Sequence, residues 1–354
     1  MADPLRKLAV RARFSASQGA RVAWYTAHAF AMKRLNSRLQ STLPGSPKEI
    51  DRPSRPVPNE RRLLADVGAL MLRDLSNVEA GYYPVPHDES GGLAGLIKRS
   101  RAFFNDVPKV ARRRRLNAHQ EVFTDEQKGK KPRYYLQNFH YQTDGWLSEE
   151  SADLYDFQVE VLFYGAAAAM RRQGLVPLAK LLREVDQRHI AFADIACGSG
   201  PFLSTAIEAY PRLRGIGIDL SLPYLKKARN EIASRRASYT VGKAEDLPLA
   251  DGSLDVASIV YLFHELPPKI RQKVSLQIAR VLKPGGTLIF VDSLQTGDEP
   301  DYDGLLELFP QLFHEPYYNS YMSADIIGSF QRAGLELVQQ STAFVSKICV
   351  FRKI

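Results

Sequence analysis

Asp194, Gly198, Gly200 and Asp219 are the residues whose types and spacing first suggest chemistry. An apolar run from Ile190 ends in Asp194, glycines follow at 198 and 200, and a helix-compatible segment covers 203–209. The order is strand, tight loop, helix. Glycine lets backbone N–H groups approach a ligand closely, because no Cβ intervenes and positive φ costs little. A Gly-x-Gly alone also describes a plain strand-to-helix turn. Roughly twenty residues on, a second short apolar strand ends in Asp219, and in a doubly wound sheet such an acid lies beside the first loop, where it accepts both hydroxyls of a ribose. The spacing selects a nucleoside ligand and leaves its identity open.

Five ordered blocks narrow it: Asp194-Ile-Ala-Cys-Gly-Ser-Gly, Gly217-Ile-Asp219, Gly242-Lys-Ala-Glu-Asp-Leu-Pro248, Leu254-Asp-Val and Val281-Leu-Lys-Pro-Gly-Gly286. In order and spacing they resemble the signature blocks of class I S-adenosylmethionine-dependent methyltransferases. The most similar variety is the ubiquinone/menaquinone-biosynthesis (methyltransferase type 11) group of small-molecule enzymes. The resemblance covers roughly the C-terminal half, from about Leu175. It implies an α/β fold: a doubly wound, seven-stranded, Rossmann-like sheet, here with a mainly helical N-terminal extension. The implied cofactor is S-adenosyl-L-methionine. The backbone of Ala196 and Cys197 with Gly198 and Gly200 would line its methionine part, and Asp194 would hold the loop or reach the amino group through water. Asp219, followed by Leu220, would take the ribose. Relatives place an acid and then an Ala at the adenine; here the pair is Lys243-Ala244, and lysine offers no acceptor. Either Glu245 or Asp246 replaces the acid, or backbone and apolar contacts hold the ring. Tyr261, ending the fourth strand, is counted with the cofactor contacts.

Methyl transfer from a sulfonium is an in-line displacement, so alignment and exclusion of water matter most. An O–H or activated C–H nucleophile also needs a base. The same resemblance puts His264 and Glu265 beside the methyl group, where a neutral imidazole suits a phenolic or enolic proton near pH 7, or serves to position substrate. The cluster at 313–321 would form a pocket wall, in which His314, Glu315, Tyr317 and Tyr318 would contact substrate or supply an alternative base. The aromatic and amide-rich stretch 134–146 offers His140, Tyr141 and Trp146 to the substrate, or else docks the two halves together. The histidines and glutamates match no compact ligand motif such as His-Glu-x-x-His, and no metal is expected.

The elements that must position these residues are strands at 190–194, 214–219, 238–242, 255–261, 287–292, 335–343 and 346–352, with helices between them. The last two are close enough for a hairpin. Ser148 or Ser151 caps a helix running through Tyr155, Val159, Leu162 and Phe163 to Met170. Upstream, residues 1–43 form a basic helical segment, 44–58 a proline-rich extended linker, and 59–147 a helical region that is a candidate substrate lid; 148–354 is the catalytic domain. Asn59 is a plausible N-cap for a helix burying Leu63, Val67, Leu70 and Leu75. Four consecutive arginines, 112–115, point around most of a helix and cannot serve one binding face.

Of 354 residues, 45% are hydrophobic, enough for a globular core. Both cysteines, Cys197 and Cys349, fall in expected interior positions, so a reducing compartment and no disulfide are expected. Up to Arg133 there are 26 Lys and Arg against 13 Asp and Glu, a net +13; the remainder carries −4. A basic half can face nucleic acid, an anionic membrane surface or an acidic partner. The acidic catalytic half argues against a nucleic-acid track. No stretch reaches the roughly 18 apolar residues of a spanning helix, so a cytoplasmic, at most peripheral, protein is expected. For residues 1–43, with Trp24, Tyr25 and Phe30 among arginines, three readings stand open: a packed helix, a helix on an anionic membrane surface, and an organelle transit peptide. The leading function is methyl transfer to a hydrophobic, ring-containing small molecule such as a quinone, phenol or lipid. The alternatives are a nucleic-acid methyltransferase and a non-catalytic binding module. Oligomeric state is not legible.

Overall fold

The computed structural model describes residues 4–43, 50–87, 92–232 and 234–354. Three long helices come first: α1 (Pro4–Gln40), α2 (Glu60–Glu79) and α3 (Gly92–Leu116). Helix α1 packs against the rest of the chain. Its Phe14, Tyr25 and Ala29 are buried and Trp24 is partly covered, while Phe30 stays half exposed. The aromatics that would enter a lipid interface are thus mostly turned inward. Asn59 caps α2 through Oδ1, accepting the Arg62 N–H at 2.9 Å. The stretch 50–59 is extended as expected, but it is strapped along the molecule: Asp51 and Ser54 donate backbone N–H bonds to Gln311 and Glu307. The first part of that linker, 44–49, lies outside the described residues.

Helix α4 (Glu149–Leu162) begins at Ser148, whose Oγ accepts the Ser151 N–H. It does not continue to Met170. The chain breaks at Tyr164 and Gly165, with φ of 54° and 80°, and restarts as α5 (Ala167–Arg172) and α6 (Leu175–Arg183). The break has two causes. Gly165 lies against α1, where a Cβ would stand 3.1 Å from Val22 Cα. The Glu160 carboxylate folds over to accept the N–H groups of Ala167 and Ala168 while pairing with buried Arg21, so side-chain bonds replace the helical ladder. Buried Arg172 then holds Asp74 of α2 at 2.6 Å.

The catalytic half follows as β1 (Ala191–Ile195), α7 (Pro201–Ala209), β2 (Arg214–Asp219), α8 (Leu222–Glu231), β3 (Ala237–Val241), β4 (Leu254–Val260), α9 (Pro268–Val281), β5 (Leu282–Ser293), α10 (Asp303–Leu312), α11 (Tyr318–Met322), α12 (Ile326–Arg332), β6 (Leu335–Ala343) and β7 (Ser346–Lys353). The seven strands run β3-β2-β1-β4-β5-β7-β6, all parallel except β7, which is antiparallel to both neighbours. Strand β5 is longer than the sequence pattern suggested, because Leu282 already pairs with Leu254 across an irregularity. Strands β6 and β7 form the expected hairpin. Order reverses between β1 and β4, and a doubly wound sheet opens its ligand crevice there, at the carboxyl ends of the strands.

Candidate active site

Gly198 and Gly200 take left-handed backbone, φ 55° and 78°, as does Ala196 at 57°. The loop therefore curls over the end of β1. The Gly198 N–H donates to Asp219 Oδ2 at 2.8 Å and the Ser221 N–H to Oδ1 at 2.7 Å, so Asp219 ties together the two loops that meet at the crevice. Burial holds its carboxyl above the ordinary carboxylate range. Asp194 lies beneath, 1% exposed, accepting the Ser258 hydroxyl at 2.6 Å; burial pushes its pKa up to about 7. Ser199 donates to Asp156 of α4, which also accepts from Lys227 of α8. The loop is thereby fastened to the helical half as well as to the sheet.

A cavity of about 700 Å³ opens from this loop, within the roughly 300–1,000 Å³ range of small-molecule sites. Asp194, Ala196, Cys197, Gly198, Asp219 and Leu220 are in its wall, as are Ala244, Glu245, Tyr261, His264 and Glu265. Gly200 is not. A Cβ there would meet Ile232 at 2.9 Å, so that glycine serves the turn and its packing on the end of α8. Of the two acids offered for adenine, Glu245 faces the cavity and Asp246 does not. Glu245 Oε1 accepts the Tyr134 hydroxyl at 2.7 Å, and its buried Oε2 has no hydrogen-bond donor.

At the far side of the loop, β4 ends in Tyr261, another left-handed residue at φ 58°, and passes into a turn over Phe263–Glu265. Asp292, wholly buried at the end of β5, organises that turn. Its Oδ2 accepts the Phe263 N–H at 2.7 Å, and Oδ1 lies 2.5 Å from His264 Nδ1. A carboxylate has only acceptors, so Nδ1 carries the proton and Nε2 of the neutral ring is left as a base. Burial works against the imidazolium, but Asp292 together with Glu315 outweighs it and the His264 pKa stands above the ordinary value. The sequence reading missed Asp292. Its signal was a carboxylate ending an apolar strand adjacent to β4, the same pattern that marked Asp219. Glu265 Oε1 is 3.7 Å from His264 Nε2; burial, and Glu315 facing it, hold this carboxyl well above its usual range.

Two candidate site residues, Tyr141 and His314, do not reach the cavity. Tyr141 is fully buried, with its hydroxyl on Asn117 at 2.9 Å. His314 stacks on His119 at 4.0 Å and contacts Gln137 at 2.8 Å. Left-handed backbone at His140 and Tyr141 separates the two side chains: His140 lines the cavity and Tyr141 turns toward α3. Trp146 and Tyr318 are in the wall; Tyr317 instead bonds Gln137. The cavity's outer part is lined by the helices of the N-terminal half, with Met32 of α1, Leu63 of α2, Phe103 and Val107 of α3 and Val159 of α4. The arginine run is shared out: Arg113 pairs with Glu121, Arg114 lies over the Phe313 ring and Arg115 bonds Gln40.

This topology and nucleoside-type crevice define a class I S-adenosylmethionine-dependent methyltransferase domain. Residues 192–286 match the family described as "Methyltransferase domain". The chain resembles the ubiquinone/menaquinone group within that class. It is 30% identical over 157 residues to the ubiquinone/menaquinone biosynthesis C-methyltransferase of Syntrophotalea carbinolica, a match covering 42% of this chain and 60% of that protein. It is 26% identical over 215 residues to the demethylmenaquinone methyltransferase of Lactiplantibacillus plantarum, covering 54% and 87%. A solved S-adenosylmethionine-dependent methyltransferase from Aquifex aeolicus is 17% identical, with 52% of this chain and 93% of that one covered at a TM-score of 0.38. The cofactor is S-adenosyl-L-methionine, and the site suits it: a free buried acceptor at Glu245 Oε2, a carboxylate between the loops at Asp219, and glycine backbone at the loop.

Proposed function

We propose that the chain methylates a hydrophobic, ring-containing small molecule of the quinone, phenol or lipid type. The observation that carries this is the single cavity joining the cofactor loops, His264 and a largely apolar chamber between α1, α3 and α4. The names of the ubiquinone and menaquinone relatives agree with a quinone-like ring. A chamber closed over by helices favours a small molecule over a polymer threaded across an open face. Residues 59–147 then act as a lid, with α1 behind it, and 148–354 as the catalytic domain.

S-adenosylmethionine supplies an electrophilic methyl group on a sulfonium. The backbone of Ala196, Cys197 and Gly198 would hold its methionine part and Asp219 would accept ribose hydroxyls. Glu245 Oε2, which has no donor, would accept the adenine amino group in place of the acid missing at Lys243, with Leu220 and Ala244 beside the ring. Tyr261 closes the methyl side. His264 Nε2 takes the proton of a ring hydroxyl or activated carbon while Asp292 fixes the imidazole by its other nitrogen. The apolar walls hold the ring in line and keep water out.

The test is formation of S-adenosylhomocysteine with a panel of hydroquinones, phenols and acylated aromatics. The expected result is turnover of at least one lipophilic ring compound, reduced roughly 10²–10⁴-fold in His264→Ala with cofactor affinity retained. Turnover of RNA or DNA alone would contradict the proposal.

A further inference from the structure

Three segments far apart in sequence bring a nitrogen and two carboxylates together, His140 and Glu265 in the cavity wall and Glu315 packed behind them. His140 comes from the loop ahead of α4, Glu265 from the turn after β4, and Glu315 from the link between α10 and α11. One ligand atom from each lies within 4.8 Å of the other two. Glu315 has its side chain wholly enclosed. His140 Nε2 pairs with Glu315 Oε1, and the other carboxylate oxygen, Oε2, receives no hydrogen bond among the described residues. A buried carboxylate normally has its lone pairs filled, since leaving them empty costs several kcal/mol. His140 is also held at φ 55°, strained backbone for a residue with a side chain.

One imidazolium cannot balance two enclosed carboxylates. A divalent cation can, with the imidazole neutral and each carboxylate lending an oxygen. A set of one imidazole nitrogen and two carboxylate oxygens suits first-row ions such as Mn²⁺, Fe²⁺ or Zn²⁺, and three protein ligands leave positions open. His264 stands next to the set, its Nε2 3.7 Å from Glu265 Oε1 and its Nδ1 on Asp292, so it can serve as a fourth ligand or stay free as a base. The spacing rule that argued against metal covers ligands on one helix or loop, and these three come from separate ones.

We propose that His140, Glu265 and Glu315 form a binding site for a divalent first-row transition ion that faces the substrate chamber. The ion's open positions would take an oxygen of the ring substrate and orient it. That last clause rests on the methyltransferase reading; the ion site does not.

The test uses the full-length protein without cofactor or substrate. After stripping with chelator, it is titrated calorimetrically with Mn²⁺ and with Zn²⁺, and metal retained after dialysis is measured by mass spectrometry. The expected result is one ion per chain, with affinity reduced about tenfold or more in each of His140→Ala, Glu265→Gln and Glu315→Gln. Circular dichroism and thermal unfolding of the same variants, matching wild type, show that they are folded. Wild type that retains no ion and gives no heat of binding would overturn the proposal, leaving a proton shared between the two carboxylates. So would variants that bind as wild type does, since the ion would then sit elsewhere. Either failure leaves the methyltransferase reading standing, because it is read from different assays.

Discussion

Asp194 and Asp219 end neighbouring strands, yet their surroundings differ. Both meet the crevice, but Asp219 accepts two backbone N–H bonds, whereas Asp194, 1% exposed, lies under the loop and takes the Ser258 hydroxyl. Its pKa of about 7 lies above that of an unfolded aspartate, so between roughly pH 4 and pH 7 the folded chain binds a proton the unfolded chain has lost. Stability attributable to this residue therefore falls as pH rises through that window. Thermal unfolding of wild type and Asp194→Asn across pH 4.5–7.5 should show the wild type losing ground to the variant as pH increases; parallel curves would contradict the assignment. The residues that were legible are those whose partners are near in sequence or repeat a known pattern, such as Asp194, Gly198 and Asp219. Asp292 acts on His264 from the next strand, and Tyr141 and His314 look reactive but spend their polar atoms on Asn117 and Gln137. Nothing in local spacing encodes either outcome.

The broken helix between α4 and α5 lines the chamber with Phe163, Tyr164 and Met170. Apolar periodicity through Phe163 to Met170 reads as one helix, and only the packing of α1 reveals why it is two. Gly165 has φ 80° and no room for a side chain beside Val22 and the Arg21 carbonyl. Gly165→Ala should cost at least about 1–2 kcal/mol from left-handed backbone alone, with crowding against α1 added, as measured by denaturant unfolding. A variant as stable as wild type would mean that the break is not maintained by this contact. Strand order, by contrast, was readable, because alternating strands and helices with a closing hairpin leave few topologies. Strand ends shifted by a residue or so, apart from the early start of β5.

Across the whole molecule, the basic N-terminal half is joined to the acidic catalytic half through buried pairs. Arg172 holds Asp74 and Arg21 holds Glu160. The N-terminal half carries a net charge of +13, part of it in such pairs and part, at Lys33 and Arg114, in the chamber wall, so composition alone could not tell a lid from a docking arm. No helix among the described residues is long and apolar enough to cross a membrane. The account depends most on the cofactor sitting between the β1 and β2 loops, with its methyl group toward His264. Calorimetric titration with S-adenosylmethionine and S-adenosylhomocysteine, wild type against Asp219→Ala, tests this most directly. One site per chain in wild type, weakened about tenfold or more in the variant as expected for loss of hydrogen bonds to a charged acceptor, is the predicted result. No binding by wild type, or equal binding by both proteins, would contradict it.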